Sequence, residues 1–158
     1  MNIFVLSHSP VWSARFHCDK HVPKMILETA QMMCTASNEY GLDSPYKSAY
    51  KNHPCTVWAR ESWDNWDWLF RLATTLNLHY KIRFGHDYNH KSYDAICEID
   101  AIKLHSLMPK GFTPHPQCMP DKYKDQDPVI AYRNYYRGEK KYFAKWRLYT
   151  PVWWEESK

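Results

Sequence analysis

The sequence predicts a mostly α-helical, compact single-domain fold with a short extended segment at the N terminus. Glycine occurs only 4 times in 158 residues, which is too few for a fold rich in hairpins. Apolar residues recur three and four positions apart over long stretches, as they do on the buried faces of helices. The length is sufficient for one hydrophobic core, and no linker or repeat divides the chain.

The N-terminal part is predicted to contain the extended segment and one long helix. Residues 3–6 are apolar and β-prone, so they form a short strand or an extended segment on the core, and residues 7–10 form a turn. Asp19 is suited to cap a helix that begins there or slightly earlier and ends near Ala36. Pro23 then lies in or just after the first turn, where a missing N–H is tolerated.

A second helical region begins at His53-Pro54, with the proline near the first helical position. Ser62 is suited to cap or restart this helix, and Gly85 is a natural terminator. Between them lies an apolar stripe that we expect to belong to the core. Its members are Trp66, Leu69, Phe70, Ala73, Leu76 and Tyr80.

The C-terminal part is predicted to contain two further helices separated by a loop. Residues 92–108 form a third helix that stops at Pro109. Residues 109–128 contain five of the ten prolines and read as a surface loop. Asp127 then caps a last helix over about residues 129–146.

The composition is typical of a mildly basic protein with reduced thiols. A net charge of +4 is compatible with nucleic acid or another polyanion as partner. Five irregularly spaced cysteines, with neither a signal peptide nor a membrane span, predict a cytoplasmic protein without membrane association, which we expect to be a monomer. His17, Cys18 and His21 have no matching second half-site, so we expect neither a metal nor a cofactor.

One face of the first long helix carries a carboxylate among basic and amide groups. His21, Lys24, Glu28 and Gln31 are spaced three and four positions apart, which aligns them on that face. The arrangement is suited to acid–base chemistry on an anionic substrate. The alternative is an ordinary solvated face on which Lys24 and Glu28 form an i,i+4 pair.

Residues 133–149 interleave cations with aromatic rings, and only Glu139 opposes the charge. Cations neutralise phosphates and rings stack on unpaired bases, so this segment is a candidate DNA-binding surface. The alternative is a closing helix whose rings pack on the core. His53 is either a phosphate ligand at a helix start or a capping residue. The candidate DNA-binding residues are Arg15, Lys20, Lys24, Lys51, His53, Arg60, Arg133, Tyr135, Tyr136, Arg137, Lys140, Lys141, Lys145 and Trp146.

The chain resembles the phage pyrimidine-dimer DNA glycosylases of the endonuclease V type. Asp19-x-His21 followed by Glu28 is similar to the start of the first long helix in that family, and Lys24 matches its bacterial relatives. The whole chain also resembles proteins of tailed phages. Further similar features are Lys20, the His53-Pro54 pair, the region around Trp58 and the run at residues 135–140.

The resemblance implies a helical fold, double-stranded DNA as partner and a flipped nucleotide as substrate. It also implies that a backbone α-amino group attacks the sugar carbon and forms a Schiff base, giving glycosylase and possible lyase chemistry. An α-amino group has an ordinary pKa of about 8, so part of it is a neutral nucleophile near pH 7. Because Asn2 is too bulky for the usual removal of methionine, this amine belongs to Met1. The implied catalytic residues are Met1, His21 and Glu28, with Arg15, Lys24 and His21 beside flanking phosphates.

Two other functions remain open from the sequence. Leu27 stands where the phage enzymes carry an arginine before the catalytic glutamate. An enzyme of the same scaffold that installs or removes a modification on phage DNA bases is one alternative. A non-catalytic module that binds DNA or a host protein is the other. A Glu28 that is buried, or paired only with Lys24 on a convex surface, favours this module, whereas a Glu28 in an open basic cleft near the N terminus favours an enzyme.

Overall fold

The computed structural model describes residues 1–156 and confirms the mostly helical fold, with no β-strand in that range. No helix within it is both long enough and apolar enough to cross a bilayer. Its α-helices are α1 (Pro10–Phe16), α2 (His21–Glu39), α3 (Pro54–Glu61), α4 (Trp63–Phe84), α5 (Lys91–Cys97), α6 (Ala101–Leu107), α7 (Pro128–Tyr135) and α8 (Val152–Glu155).

The core forms around the two long helices, α2 and α4. Helix α4 packs against α1, α2 and α3, and α2 also contacts α3 and α5. Trp66 of the predicted stripe is buried, and its indole N–H donates to the carbonyl of Met33 on α2 at 3.3 Å. Leu69, Ala73 and Leu76 are buried with it, whereas Phe70 and Tyr80 are partly buried and pack against the core, so the stripe faces the core as predicted.

Residues 3–6 form an extended, buried segment rather than a strand. Side chains bind part of its backbone: the Ser13 hydroxyl donates to the Phe4 carbonyl at 2.8 Å and accepts from the Leu6 N–H at 3.0 Å. Arg133 donates to the Leu6 carbonyl at 3.0 Å. Side chains of α1 and α7 thus bind the backbone of Phe4 and Leu6, where a β-strand would have a partner strand.

The start of the chain differs from the prediction in three ways. Helix α1 was not predicted; Ser9 caps it by accepting from the Trp12 N–H at 3.3 Å, and a proline follows at the first helical position. The capping role predicted for Asp19 is wrong, because Lys20 precedes α2 without a side-chain cap and the Asp19 carboxylate binds Arg83 at 3.1 Å. Helix α2 also continues to Glu39, beyond the predicted end.

The later helix boundaries follow the predicted capping residues. The side chains of His53, Ser62 and Asp127 each accept a hydrogen bond from a backbone N–H in the first turn of α3, α4 and α7, respectively. Gly85 ends α4 in the left-handed conformation, with φ 69°. These caps need only neighbours along the chain, which is why the sequence revealed them.

Two helices predicted as continuous are interrupted. The helix expected over residues 92–108 is divided into α5 and α6, and Asp100 caps α6 by accepting from the Lys103 N–H at 3.0 Å. Helix α7 becomes a π-helical turn at Tyr136–Lys140 and does not continue to residue 146. Gly138 suits this turn because the Tyr123 side chain occupies the space where a Cβ would lie.

Candidate active site

The N terminus meets the Glu28 carboxylate. The α-amino nitrogen of Met1 lies 3.2 Å from Glu28 Oε1. The backbone N–H of Asn2 donates to the same oxygen at 3.0 Å. Glu28 therefore pairs with the chain terminus and not with Lys24, one helical turn away. The solvated-face interpretation had expected the pair with Lys24.

Met1 is held by its side chain while its main chain faces outward. The side chain is only 2% exposed and packs against the core. The residue as a whole is nevertheless partly exposed, so its accessible surface belongs to main-chain atoms, which include the α-amino group. Glu28 is 12% exposed beside it. The buried side chain thus anchors the terminus, with the α-amino nitrogen next to a carboxylate.

Asn2 fastens the N-terminal backbone to three other parts of the chain. Its Nδ2 donates to the Cys118 carbonyl at 2.9 Å. Its Oδ1 accepts from the Tyr132 hydroxyl at 2.8 Å and lies 3.8 Å from the Cys55 sulfur. These contacts reach α7, the loop that contains Cys118 and the start of α3. The backbone nitrogens of Met1 and Asn2 are therefore preorganised beside Glu28. Apart from the bulk of Asn2, no sequence pattern indicated this role.

His53 lies in the electrostatic field of this site. Burial lowers its pKa, the Met1 α-amino group lowers it further, and Glu28 opposes both effects. Its Nδ1 accepts from the Cys55 N–H at 3.1 Å, so it caps α3. The predicted His53 therefore lies near the amine and the carboxylate, with a neutral imidazole favoured.

A group of lysines and rings gathers on the same side of α2 as Glu28; we call Lys20, Lys24, Tyr135, Lys140 and Phe143 the lysine–aromatic cluster. Lys20 Nζ lies 4.9 Å from the centre of the Phe143 ring, and Lys140 Nζ lies 4.8 Å from that of Tyr135. Lys24 is exposed one turn before Glu28 and acts electrostatically on Tyr135. The start of α2 and the C-terminal segment thus build one basic surface.

His21 and Tyr136 lie beneath this cluster, inside the core. His21 Nδ1 is 2.6 Å from the Tyr136 hydroxyl, and its ring stacks on Phe4 at 4.4 Å. Burial, with the nearby lysines, lowers the pKa of His21 to about 2, so the ring is neutral. Tyr136 is fully buried, so its ring presents no surface to a base. Both residues support the cluster from below.

The remaining predicted DNA-binding residues divide into two groups. Arg133, Arg137 and Trp146 donate to backbone carbonyls: Arg133 to Leu6, Arg137 to Trp153 and Trp146 to Phe16. The side chains of this first group are therefore engaged in contacts within the protein. The other group lies nearer the surface: Lys51 pairs with Glu39, Arg60 donates to the Lys51 carbonyl, and Arg15, Lys141 and Lys145 are exposed.

One group of side chains in residues 1–156 is close enough to hold a metal. A ring nitrogen of His53 and the sulfurs of Cys55 and Cys118 all lie within 4.8 Å of one another. The sequence missed this group because Cys118 follows Cys55 by 63 residues. The trio considered from sequence, which includes His17, lies inside the core instead, where burial lowers the pKa of His17 to about 4.

Comparison with known proteins identifies one family. The model of the family described as pyrimidine dimer DNA glycosylase matches residues 1–92, which is more than half of the chain. The matched part contains Met1, Asn2, Glu28 and His53. No curated protein and no solved structure matches the chain.

Proposed function

We propose a reaction for this chain because it belongs to the pyrimidine dimer DNA glycosylase family, which consists of DNA-binding repair glycosylases. The chain excises a damaged or modified base that is flipped out of duplex DNA, and the Met1 α-amine is the nucleophile. The single observation that carries this proposal is the 3.2 Å separation of the Met1 nitrogen and Glu28 Oε1. A protein needs no such arrangement merely to bind DNA.

In the proposed reaction the neutral amine attacks C1′ of the flipped nucleotide. A bond forms between the Met1 nitrogen and C1′, and the glycosidic bond breaks as the base leaves with its electron pair and gains a proton. One amine proton balances the proton gained by the base, and the second passes to O4′ as the C1′–O4′ bond opens, which leaves a C1′ imine. Removal of a C2′ proton then expels the 3′ phosphate in the lyase step, and water hydrolyses the imine.

Glu28 has two roles in this scheme. Its carboxylate stabilises the positive charge that develops on the sugar as the base leaves. At 3.2 Å it is also within proton-transfer distance of the amine. Because the Asn2 N–H already holds the same oxygen at 3.0 Å, little rearrangement is needed for either role.

The lysine–aromatic cluster supplies the proposed DNA contacts. Lys20, Lys24 and Lys140 present three cations to phosphates near Glu28. Tyr135 is partly exposed beside Lys140, so its ring is available to stack on a base next to the lesion. Buried Tyr136 is assigned no DNA contact in this proposal.

Borohydride trapping tests the proposal. A duplex with an abasic site or a cyclobutane pyrimidine dimer is incubated with the protein and borohydride, which reduces the imine to a stable amine. We expect a covalent complex joined through Met1. Glu28→Gln should reduce the trapping rate by about 100-fold or more. Glu98→Gln is the matched control, because Glu98 is an exposed glutamate at the end of α5.

Two results would contradict this assignment. A non-catalytic binding module would bind DNA without trapping on either duplex, and Glu28→Ala would leave its DNA affinity unchanged. A new nucleoside in the treated DNA, detected by mass spectrometry in place of a released base, would indicate a base-modifying enzyme.

A further inference from the structure

Two cysteines and a histidine converge where the N-terminal segment meets α3. Cys55 lies in the first turn of α3, and His53 caps that helix. Cys118 comes from the proline-rich loop that precedes α7. The two sulfurs are 3.6 Å apart, and a ring nitrogen of His53 lies within 4.8 Å of both.

We propose that His53, Cys55 and Cys118 form a binding site for one soft divalent metal ion of the zinc class. Two thiolates and an imidazole are ligands that zinc prefers. At a Zn–S distance of about 2.3 Å, tetrahedral geometry separates two sulfurs by roughly 3.8 Å. The observed 3.6 Å is close to that value, so the thiols need little movement to share a metal. The fourth position is left for water.

The backbone around the ligands is held in place. The Cys118 N–H donates to the Tyr132 hydroxyl at 3.1 Å, and the Cys118 carbonyl accepts from Asn2 Nδ2 at 2.9 Å. Asn2 Oδ1 lies near the Cys55 sulfur but also accepts from the Ile3 N–H at 2.8 Å. Loss of the Cys55 proton to a metal therefore leaves Asn2 satisfied.

The charges of the group suit a divalent cation. Metal binding displaces the thiol protons, and two thiolates then balance the charge of the ion. The hydrogen bond from Cys55 lowers the pKa of Cys118 to about 7, whereas the same interaction and burial raise that of Cys55. The Met1 α-amino group and Lys124 also favour the Cys118 thiolate.

Binding has one structural consequence at His53. Its Nδ1 lone pair now accepts from the Cys55 N–H at 3.1 Å. The metal either takes this lone pair or binds Nε2 with the ring in the opposite tautomer, and the capping hydrogen bond is lost in both cases. Metal–ligand bonds then replace the capping hydrogen bond of His53. The bound ion connects the start of α3 to the proline-rich loop.

The site goes beyond the proposed function, and its test does not require activity. The reduced protein is titrated with Co²⁺, which reports thiolate ligation by near-ultraviolet charge-transfer absorption. We expect one Co²⁺ per chain, displaced by Zn²⁺. Cys55→Ser and Cys118→Ser should each abolish the absorption, and Cys97→Ser should leave it unchanged, because Cys97 is exposed and outside the group.

A second measurement guards against misfolded variants. Zn²⁺ should raise the midpoint of thermal unfolding of the unmodified protein and of Cys97→Ser, but not that of Cys118→Ala, which removes only a half-buried thiol. Absence of cobalt absorption in the reduced protein overturns the proposal. So does absorption that persists in Cys118→Ala with an unchanged helical circular dichroism spectrum.

Discussion

Arg83 donates a hydrogen bond to the Asp19 carboxylate at 3.1 Å, from a side chain that is only 2% exposed. The same guanidinium donates to the carbonyls of Arg15 and His17 at 2.9 and 2.7 Å. Asp19 in turn accepts from the Arg147 N–H at 3.1 Å. This ion pair joins α4 to the residues between α1 and α2, immediately before the helix that carries Glu28.

Asp19→Asn should destabilise the fold. The substitution removes the charge partner of a buried guanidinium, which is strongly unfavourable even when other acceptors remain. We expect the free energy of unfolding, measured by urea denaturation, to fall by about 2–3 kcal/mol. Asp121→Asn is the control, since Asp121 forms an exposed pair with Lys124 and should give no measurable change. Equal changes in unfolding free energy for the two substitutions would show that the pair with Arg83 stabilises the fold no more than an exposed pair does.

Moving the α-amine away from Glu28 should abolish trapping. One serine added before Met1 keeps a primary amine but displaces it by about 3.5 Å along the chain. Because misplacement of a nucleophile by 1 Å is enough to slow a reaction about 100-fold, we expect at least that loss in single-turnover trapping. DNA affinity should stay within about twofold, because the lysine–aromatic cluster is unchanged. Undiminished trapping by the extended protein would exclude the terminal amine as nucleophile.

Neutralising the lysines beside Glu28 should weaken DNA binding in a salt-dependent way. Lys20→Gln, Lys24→Gln and Lys140→Gln should each reduce the slope of log K against log salt by about 1, as expected for the loss of one phosphate contact. Fluorescence anisotropy at several salt concentrations measures this. Lys103→Gln on α6 should leave the slope unaltered. If all four variants behave alike, the DNA surface lies elsewhere.

His115 should make the fold sensitive to acid. It is buried and stacks on Trp58 at 4.3 Å, and burial lowers its pKa to about 3 from 6.5. The unfolded chain takes up a proton below pH 6.5 that the folded chain refuses, so this contribution to stability is complete above pH 6.5 and is lost as the pH falls towards 3.

His115→Phe keeps a stacking ring but removes this titration. Between pH 8 and pH 5 the variant should therefore lose about 2 kcal/mol less unfolding free energy than the unmodified protein. Urea denaturation at both pH values measures the difference. His17 and His21 titrate in both proteins, so the difference isolates His115. Parallel pH profiles would show that His115 is protonated in the folded state.

Local sequence patterns were sufficient for the class of fold and for many helix ends. His53, Ser62, Gly85 and Asp127 act on backbone groups a few residues away, so their residue types predicted their positions. The periodicity of α4 predicted its buried face for the same reason, since a helix repeats its faces whatever surrounds it. Glu28 was identified from its helix face and from the resemblance of the residues before it.

Only the tertiary structure decided which groups meet. Glu28 had an i,i+4 neighbour in Lys24, yet it pairs with Met1, which reaches it because the extended segment is buried against α1 and α7. Asp19 was suited to cap α2 but binds Arg83, 64 residues later in the chain. Such contacts depend on how distant segments pack, and a charged group takes the partner that packing brings closest, which residue spacing does not encode.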